Sequence, residues 1–353
     1  MQTTSILRYG ALLAVLAAAA CSPENNTKSA KPNPEEIELL TQAQGIFQPL
    51  PSFEEANKEH HLNDDQVKLG QQLWYDTRLS LGNDISCNTC HLLTTHGVDN
   101  KPTSPGHNGA PGVRNSPTVL NAFLLKTQFW DGRAPNIEEQ AKHPIINPIE
   151  MAMPNHEEVE RKIAAIPGYV KQFQSAYAQN GGKVSINNIA HALGAFQRTL
   201  LTPSRWDSYL KGDTNALNEQ EKRGIKSFIN NGCVACHSGV TLGGDLFQKF
   251  GLVKGPYWDL IHSKNRDEGV FDITKKEEDR FVFRVAGLRN VGKTAPYFHN
   301  GSIADLGEAV SIMGEAQLGK TLSKQDVDDI VAFLHSTTGE VPKEALQVPK
   351  LPE

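Results

Sequence analysis

Two short runs, "CNTCH" at residues 87–91 and "CVACH" at 233–237, carry the most specific chemistry in this chain of 353 residues. Two thiols three residues apart, on one turn of chain, reach the two vinyl groups of a single porphyrin. The histidine that follows then lies under the iron as proximal ligand. Cys87, Cys90 and His91 are therefore expected to hold one covalent haem c, and Cys233, Cys236 and His237 a second. A thioredoxin-like redox pair would not need a histidine directly after its second cysteine, twice. A zinc site would gather four ligands in one cluster instead of spreading two pairs along the chain.

The second axial position sets what each iron does. The chain has four methionines, Met1, Met151, Met153 and Met313, and only Met313 follows the second motif. It is the expected axial partner of that iron, where a thioether opposite histidine raises the reduction potential and suits an electron acceptor and store. The alternative is a core methionine filling a gap. For the first haem the candidate is His107, in "GHNGAPG", with His96 as competitor. His96 follows the proximal His91 too closely for the chain to cross to the other porphyrin face. Glycine and proline around His107 interrupt regular backbone and predict a hinge from which the imidazole can leave the iron. One haem with fixed ligands and one that can open suit a two-electron reaction such as hydrogen peroxide going to two waters.

Helices must position these groups. "NEQEKRGIKSFINNGCVACH" has a cap at Asn218 and places Ile225, Phe228 and Ile229 on one face. "SKQDVDDIVAFLHS" has cap Ser323 and then Val327, Ile330, Val331 and Leu334 at helical spacing. "SINNIAHALGAFQRTLL" repeats Ile186, Ile189, Leu193, Phe196 and Leu200 in the same way. Strand signals are weak. The expected fold is mainly α, with two cytochrome c-like domains, one covalent haem each, and long ordered loops. The expected segments are a signal peptide at 1–20, a disordered tether at 21–50, an N-terminal haem domain at 51–200, a C-terminal haem domain at 201–340 and a tail at 341–353.

Composition narrows the class. With 39% hydrophobic and 21% charged residues, a net charge of −5 and no dense Lys/Arg block, the chain offers nucleic acid no basic surface. The apolar run at 11–20 is too short to span a bilayer and matches the hydrophobic part of a signal peptide, so the protein is expected in the periplasm. Cys21 directly follows that run, as in bacterial lipoprotein signals, although Ala18 stands where leucine is commoner. A lipid anchor at Cys21 is expected, the alternative being a cut that removes it. The polar, proline-containing stretch to about residue 45 reads as the tether.

The stretches "RLSLGNDISCNTCHLL…GVD", "RNSPTVLNAFLLKTQFWDGRAPNIEEQAKHPI" and "KTAPYFHNGSIADLGEAVSIMG" closely resemble the bacterial dihaem cytochrome c peroxidases, a likeness covering nearly all of residues 60–340. The resemblance implies a peroxidatic N-terminal haem with His107 as displaceable ligand, and an electron-transferring C-terminal haem with Met313. It implies that Glu150 is the acid/base carboxylate, Gln140 its distal neighbour and Trp130 the residue between the haems. Asn115, Thr294 and Pro296 match calcium-binding positions. It further implies a small exported cytochrome c or cupredoxin as electron donor, and a homodimer. Ala286-Gly287 departs from the family without touching a ligand. The aromatic residue often found soon after the displaceable histidine is absent, which bears on gating. Two rival readings are a non-enzymatic dihaem electron carrier, which has no use for Glu150 and Gln140, and the protein-oxidising maturation relatives. The latter go with tyrosine where this chain has Met313.

Overall fold

The computed structural model describes Met1 and residues 33–353. The signal segment, Cys21 and the first part of the expected tether lie outside the described residues. The fold is built on two crossings of helices. Asp64–Tyr75 packs across Ile186–Gln197, and Glu219–Asn231 packs across Lys324–Ser336. Asn63 and Asn218 open the first helix of each pair with reciprocal caps to Gln66 and Glu221, satisfying donors that a first turn leaves unpaired. A Cβ on Gly70 would stand 1.9 Å from the Ala192 carbonyl oxygen, and one on Gly224 1.9 Å from that of Asp329. Each crossing therefore closes only on glycine.

The expected faces are largely the buried ones. Ile189, Leu193, Phe196 and Leu200 lie in a first core, while Ile225, Phe228, Ile330 and Leu334 lie in a second. Ile186, Ile229, Val327 and Val331 sit at the edges. Phe333, which is not among the four positions the helical spacing picks out, is fully buried against Trp206 and Phe228, with ring centroids 5.0 and 5.5 Å away. A third, smaller core gathers Phe250, Tyr257 and Phe283. It lies beside two short antiparallel strands, Phe247–Lys249 and Val282–Arg284, in which Phe247 faces Arg284.

The tether expectation for 21–50 fails over its described part. Pro34–Ile46 is a helix capped by Asn33, and Ala43, Phe47 and Leu50 are buried. Leu39, Leu40, Ala43, Ile46 and Phe47 form an apolar stripe at helical spacing, and this outweighs the polar composition around them. The segment belongs to the second core, where Glu36 pairs with Lys222 at 2.5 Å and the Leu50 N–H donates to Asp207. The C-terminal tail makes the reverse journey. Val341 and Ala345 join the first core, and the carbonyls of Ala345, Lys350 and Pro352 accept from Tyr75, Gln72 and Arg78. Residues 33–353 form one compact unit.

Candidate active site

Cys87–Cys90 is a single helical turn, and the His91 N–H donates back to the Cys87 carbonyl at 3.0 Å. The second motif repeats this with a 3.0 Å bond from His237 to Cys233. Each imidazole is fixed by its Nδ1, which lies 3.3 Å from the Gly97 carbonyl in His91 and 3.1 Å from the Leu242 carbonyl in His237. That leaves both Nε2 atoms for a metal, the usual outer-sphere arrangement of a ligating histidine. Trp74 packs on His91 and Phe228 on His237, with centroids 6.2 and 6.3 Å apart. Burial pushes the free Cys87 thiol up to about 12 and those of Cys90 and Cys233 to about 11, which reflects how apolar their surroundings are.

Beside the second motif lies a cavity of about 210 Å³ with mostly apolar walls. Cys233, Cys236, His237 and Met313 all line it. Met313 comes from the helix Leu306–Leu318. Two thiols, an imidazole and a thioether around one apolar cavity are the donor set of a covalent haem with His/Met ligation, and the residues fit that group.

His107 is on a tighter tether than its composition suggests. The Gly106 and Gly112 N–H groups donate to Ala110 and Ser104, folding residues 104–112 into a small hairpin. The His107 N–H donates at 2.8 Å to both the Ile149 and the Glu150 carbonyls. A Cβ on Gly106 would fall 1.9 Å from the Ile149 oxygen, so glycine is required for this docking. Freedom is confined to the tip, where Asn108 and Gly109 are exposed and have positive φ. The His107 Nδ1 is buried without a hydrogen-bond partner. Ser104, at the foot of the hairpin, shares a 2.8 Å hydrogen bond with the Ser116 hydroxyl. His96, the competitor, has its ring at the Gly339 carbonyl, near Lys293 and Glu340.

Glu150 thus sits directly behind the His107 hairpin. Its turn folds back on the helix Ile137–Ile146, with Met151 and Met153 donating to the carbonyls of Pro144 and Ile145. That helix also carries Gln140, half-buried and without a side-chain hydrogen bond among the described residues. Burial raises the Glu150 carboxyl above the usual range, opposed by the positive Arg133 and by an Asn147 Nδ2 bond of 3.0 Å. Arg133 and Asn147 were not anticipated from the sequence. Arg133 immediately follows "FWDG", which was the only available signal.

Asn115, Thr294 and Pro296 come together, lining a cavity of about 110 Å³. Amide and carbonyl oxygens suit calcium, but no carboxylate lines the cavity, whereas Arg284 and Arg289 do. Trp130 lines both cavities, and its Nε1 donates to the Asn115 carbonyl at 2.9 Å.

An internal repeat went unread in the sequence. Asn121 and Asn290 are each followed by Phe129 and Phe298 at the same spacing, and then by Gly132 and Gly301. All six have φ between 59° and 69°. Asn121 and Asn290 meet on one hydroxyl, each donating to Thr202 Oγ1 at 2.8 Å. The repeat puts His299 where the first half has Trp130, and these two rings touch edge-to-face at 6.3 Å. It also aligns Ile137 with Leu306, which makes Pro144 the counterpart of Met313.

Residues 64–215 match the di-haem cytochrome c peroxidase family. The chain is 45% identical over 353 residues to the cytochrome c551 peroxidase of Pseudomonas aeruginosa, covering all of this chain and 97% of that one. It is 32% identical over 307 residues to the methylamine utilization protein MauG of Methylorubrum extorquens, covering 84% of each. Among solved structures it is similar to a MauG-like protein associated with microbial copper homeostasis. There the TM-score is 0.73 at 28% identity, over 86% of this chain and 96% of that one. The paired motifs, their matching histidine shells and this likeness along the whole chain lead to one conclusion: the chain belongs to the di-haem cytochrome c peroxidase family.

Proposed function

We propose that this protein reduces hydrogen peroxide to water in the periplasm, taking electrons from a small exported cytochrome c or cupredoxin. The observation that carries this reading is the asymmetry of the repeat. In the second half a helix offers Met313 to the cavity that His237 lines. In the first half Pro144 takes that place, and a half-buried carboxyl with a raised pKa, Glu150, stands behind a histidine hairpin instead. One half is built to keep its sixth ligand, the other to give it up.

Cys87, Cys90 and His91 would hold one haem, and Cys233, Cys236, His237 and Met313 the other. Bound there, the two haems supply the two one-electron changes that peroxide reduction requires. The Glu150 carboxyl accepts a proton from the near oxygen of peroxide and returns it to the leaving oxygen, a task for which a raised pKa is suited. Gln140, with its amide free, orients the substrate. His107 would be the displaceable ligand of the first haem, with the freedom of its hairpin at the Asn108–Gly109 tip. Trp130 stands between the two cavities. Asn115, Thr294 and Pro296 would hold calcium there, and of the two arginines in the same wall Arg289 is already offset by Asp207. A lipid anchor at Cys21 and a homodimer complete the reading.

The test is peroxide-dependent oxidation of a reduced small cytochrome c by the calcium-loaded holoprotein. Turnover in the wild type that is lost in Glu150→Gln, with both haems retained, supports the assignment. Absence of turnover in the wild type, whether fully oxidised or half-reduced, refutes it in favour of electron carriage.

A further inference from the structure

Arg284 stands in the wall shared by the two cavities and is 4% exposed. Its Nε donates to the Phe129 carbonyl at 2.9 Å, and its Nη1 reaches the Val285 carbonyl only at 3.5 Å. Among the described residues no carboxylate oxygen lies within 4.0 Å of it. The acid whose charge it feels, Asp131, is already engaged by Arg114 at 2.5 Å and Arg133 at 2.9 Å. The other two buried arginines, Arg198 and Arg289, are paired with Glu138 and Asp207. Burial pulls Arg284 down to about 10, which still leaves it charged at neutral pH. A lone buried cation is costly unless an anion meets it.

A second polar group in the 210 Å³ cavity has the same deficit. His299 is 3% exposed, lines the cavity and is stacked on Phe283 at 4.3 Å, yet its Nε2 has no hydrogen-bond partner. Most of the remaining lining is apolar. A guanidinium that meets no carboxylate and an unpartnered imidazole nitrogen therefore line a space that the family fills with a porphyrin, whose edge carries carboxylates.

We propose that Arg284 is the carboxylate-binding residue of the second cavity, pairing with an acidic substituent of the porphyrin held by Cys233, Cys236 and His237, with His299 Nε2 as a second donor. This rests on the reading that the cavity holds a haem. The guanidinium offsets a negative charge that would otherwise favour ferric iron, so it helps to keep this haem's potential high. Arg284 is a positioning and tuning residue, and it takes no part in the chemistry at the first iron.

The test compares holoprotein carrying Arg284→Gln or Arg284→Lys with the wild type, by redox titration of each haem and by resonance Raman bands of the haem carboxylates. Arg284→Gln is expected to keep Met313 ligation, to lower the midpoint potential of that haem more than that of the other, and to shift its carboxylate band. Arg284→Lys restores most of the potential, because the charge returns, but not the band, because the planar two-pronged contact is lost. An unchanged potential and band in Arg284→Gln overturns the proposal. Should Arg284→Gln fail to load haem, an unchanged band in loaded Arg284→Lys overturns it equally, and a shifted one supports it. Fewer than two haems per chain in the wild type contradicts the occupancy reading instead, and is recognised separately by haem content.

Discussion

Glu150 shows how neighbours set the acidity of a single residue. A glutamate in "PIEM" is unremarkable as text, yet burial behind the His107 hairpin lifts its pKa, and Arg133 and Asn147 hold it back. A raised carboxyl keeps its proton to higher pH, so the base form is lost as pH falls through a value above the usual 4.5. Replacing Arg133 with Gln removes the opposing charge. It should move the acid limb of the kcat/KM profile to higher pH, and a limb that stays put or falls would contradict this. Glu150→Gln should lower kcat by about 10²–10⁴-fold, the range for a lost general acid–base, with both haem spectra intact. The two Cys-x-x-Cys-His runs stood out because residue type and spacing are local, and Met313 because it is the one methionine after the second run; the structure brings Cys233, Cys236, His237 and Met313 to one cavity. Arg133, Asn147, Arg284 and His299 did not stand out, because their roles depend on which carbonyls and carboxylates the fold leaves available around them.

At the scale of elements, caps and apolar faces were readable, since both are local. The Asn218 and Ser323 caps and the Leu193 and Ile225 faces follow from neighbours within a few positions. The glycine crossings were not readable, because Gly70 and Gly224 are set by carbonyls on distant helices. Alanine at either would gain up to about 1 kcal/mol of helix propensity. The clash at 1.9 Å outweighs this, and Gly224→Ala should destabilise by about 1–3 kcal/mol or more in denaturant titration. A variant as stable as wild type would show that the crossing has slack. The helix Pro34–Ile46 was missed because composition was weighed above its Leu39–Ala43–Ile46 spacing.

Across the described residues, the helix Pro34–Ile46 completes the second core and the C-terminal tail straps the first. Removing residues 343–353 takes acceptors from Gln72, Tyr75 and Arg78 and the 2.7 Å partner of the Gly168 N–H. At about 1 kcal/mol for each typical bond, Tm should fall by several degrees, measured by calorimetry on the holoprotein. An unchanged Tm would make the strap dispensable. Near the N-terminal segment, Asp207 is pushed up by burial but held lower overall by Arg289 and the Leu50 and Ser204 N–H groups. Its contribution is present above the unfolded pKa near 4 and is lost as pH falls through the depressed folded value. Asp207→Asn, which strands Arg289, should cost about 3–5 kcal/mol at neutral pH, and most of that penalty should vanish in strong acid.

The central claim is that two repeated haem-holding halves differ in one respect: Met313 stays while His107 leaves. Low-temperature electron paramagnetic resonance of the fully oxidised holoprotein carrying His107→Gly tests it most directly. The account predicts that one haem becomes high-spin and open, that the other keeps its Met313 signature, and that peroxide turnover no longer depends on prior reduction. Two haems still low-spin and six-coordinate, or loss of the methionine signature instead, would contradict it.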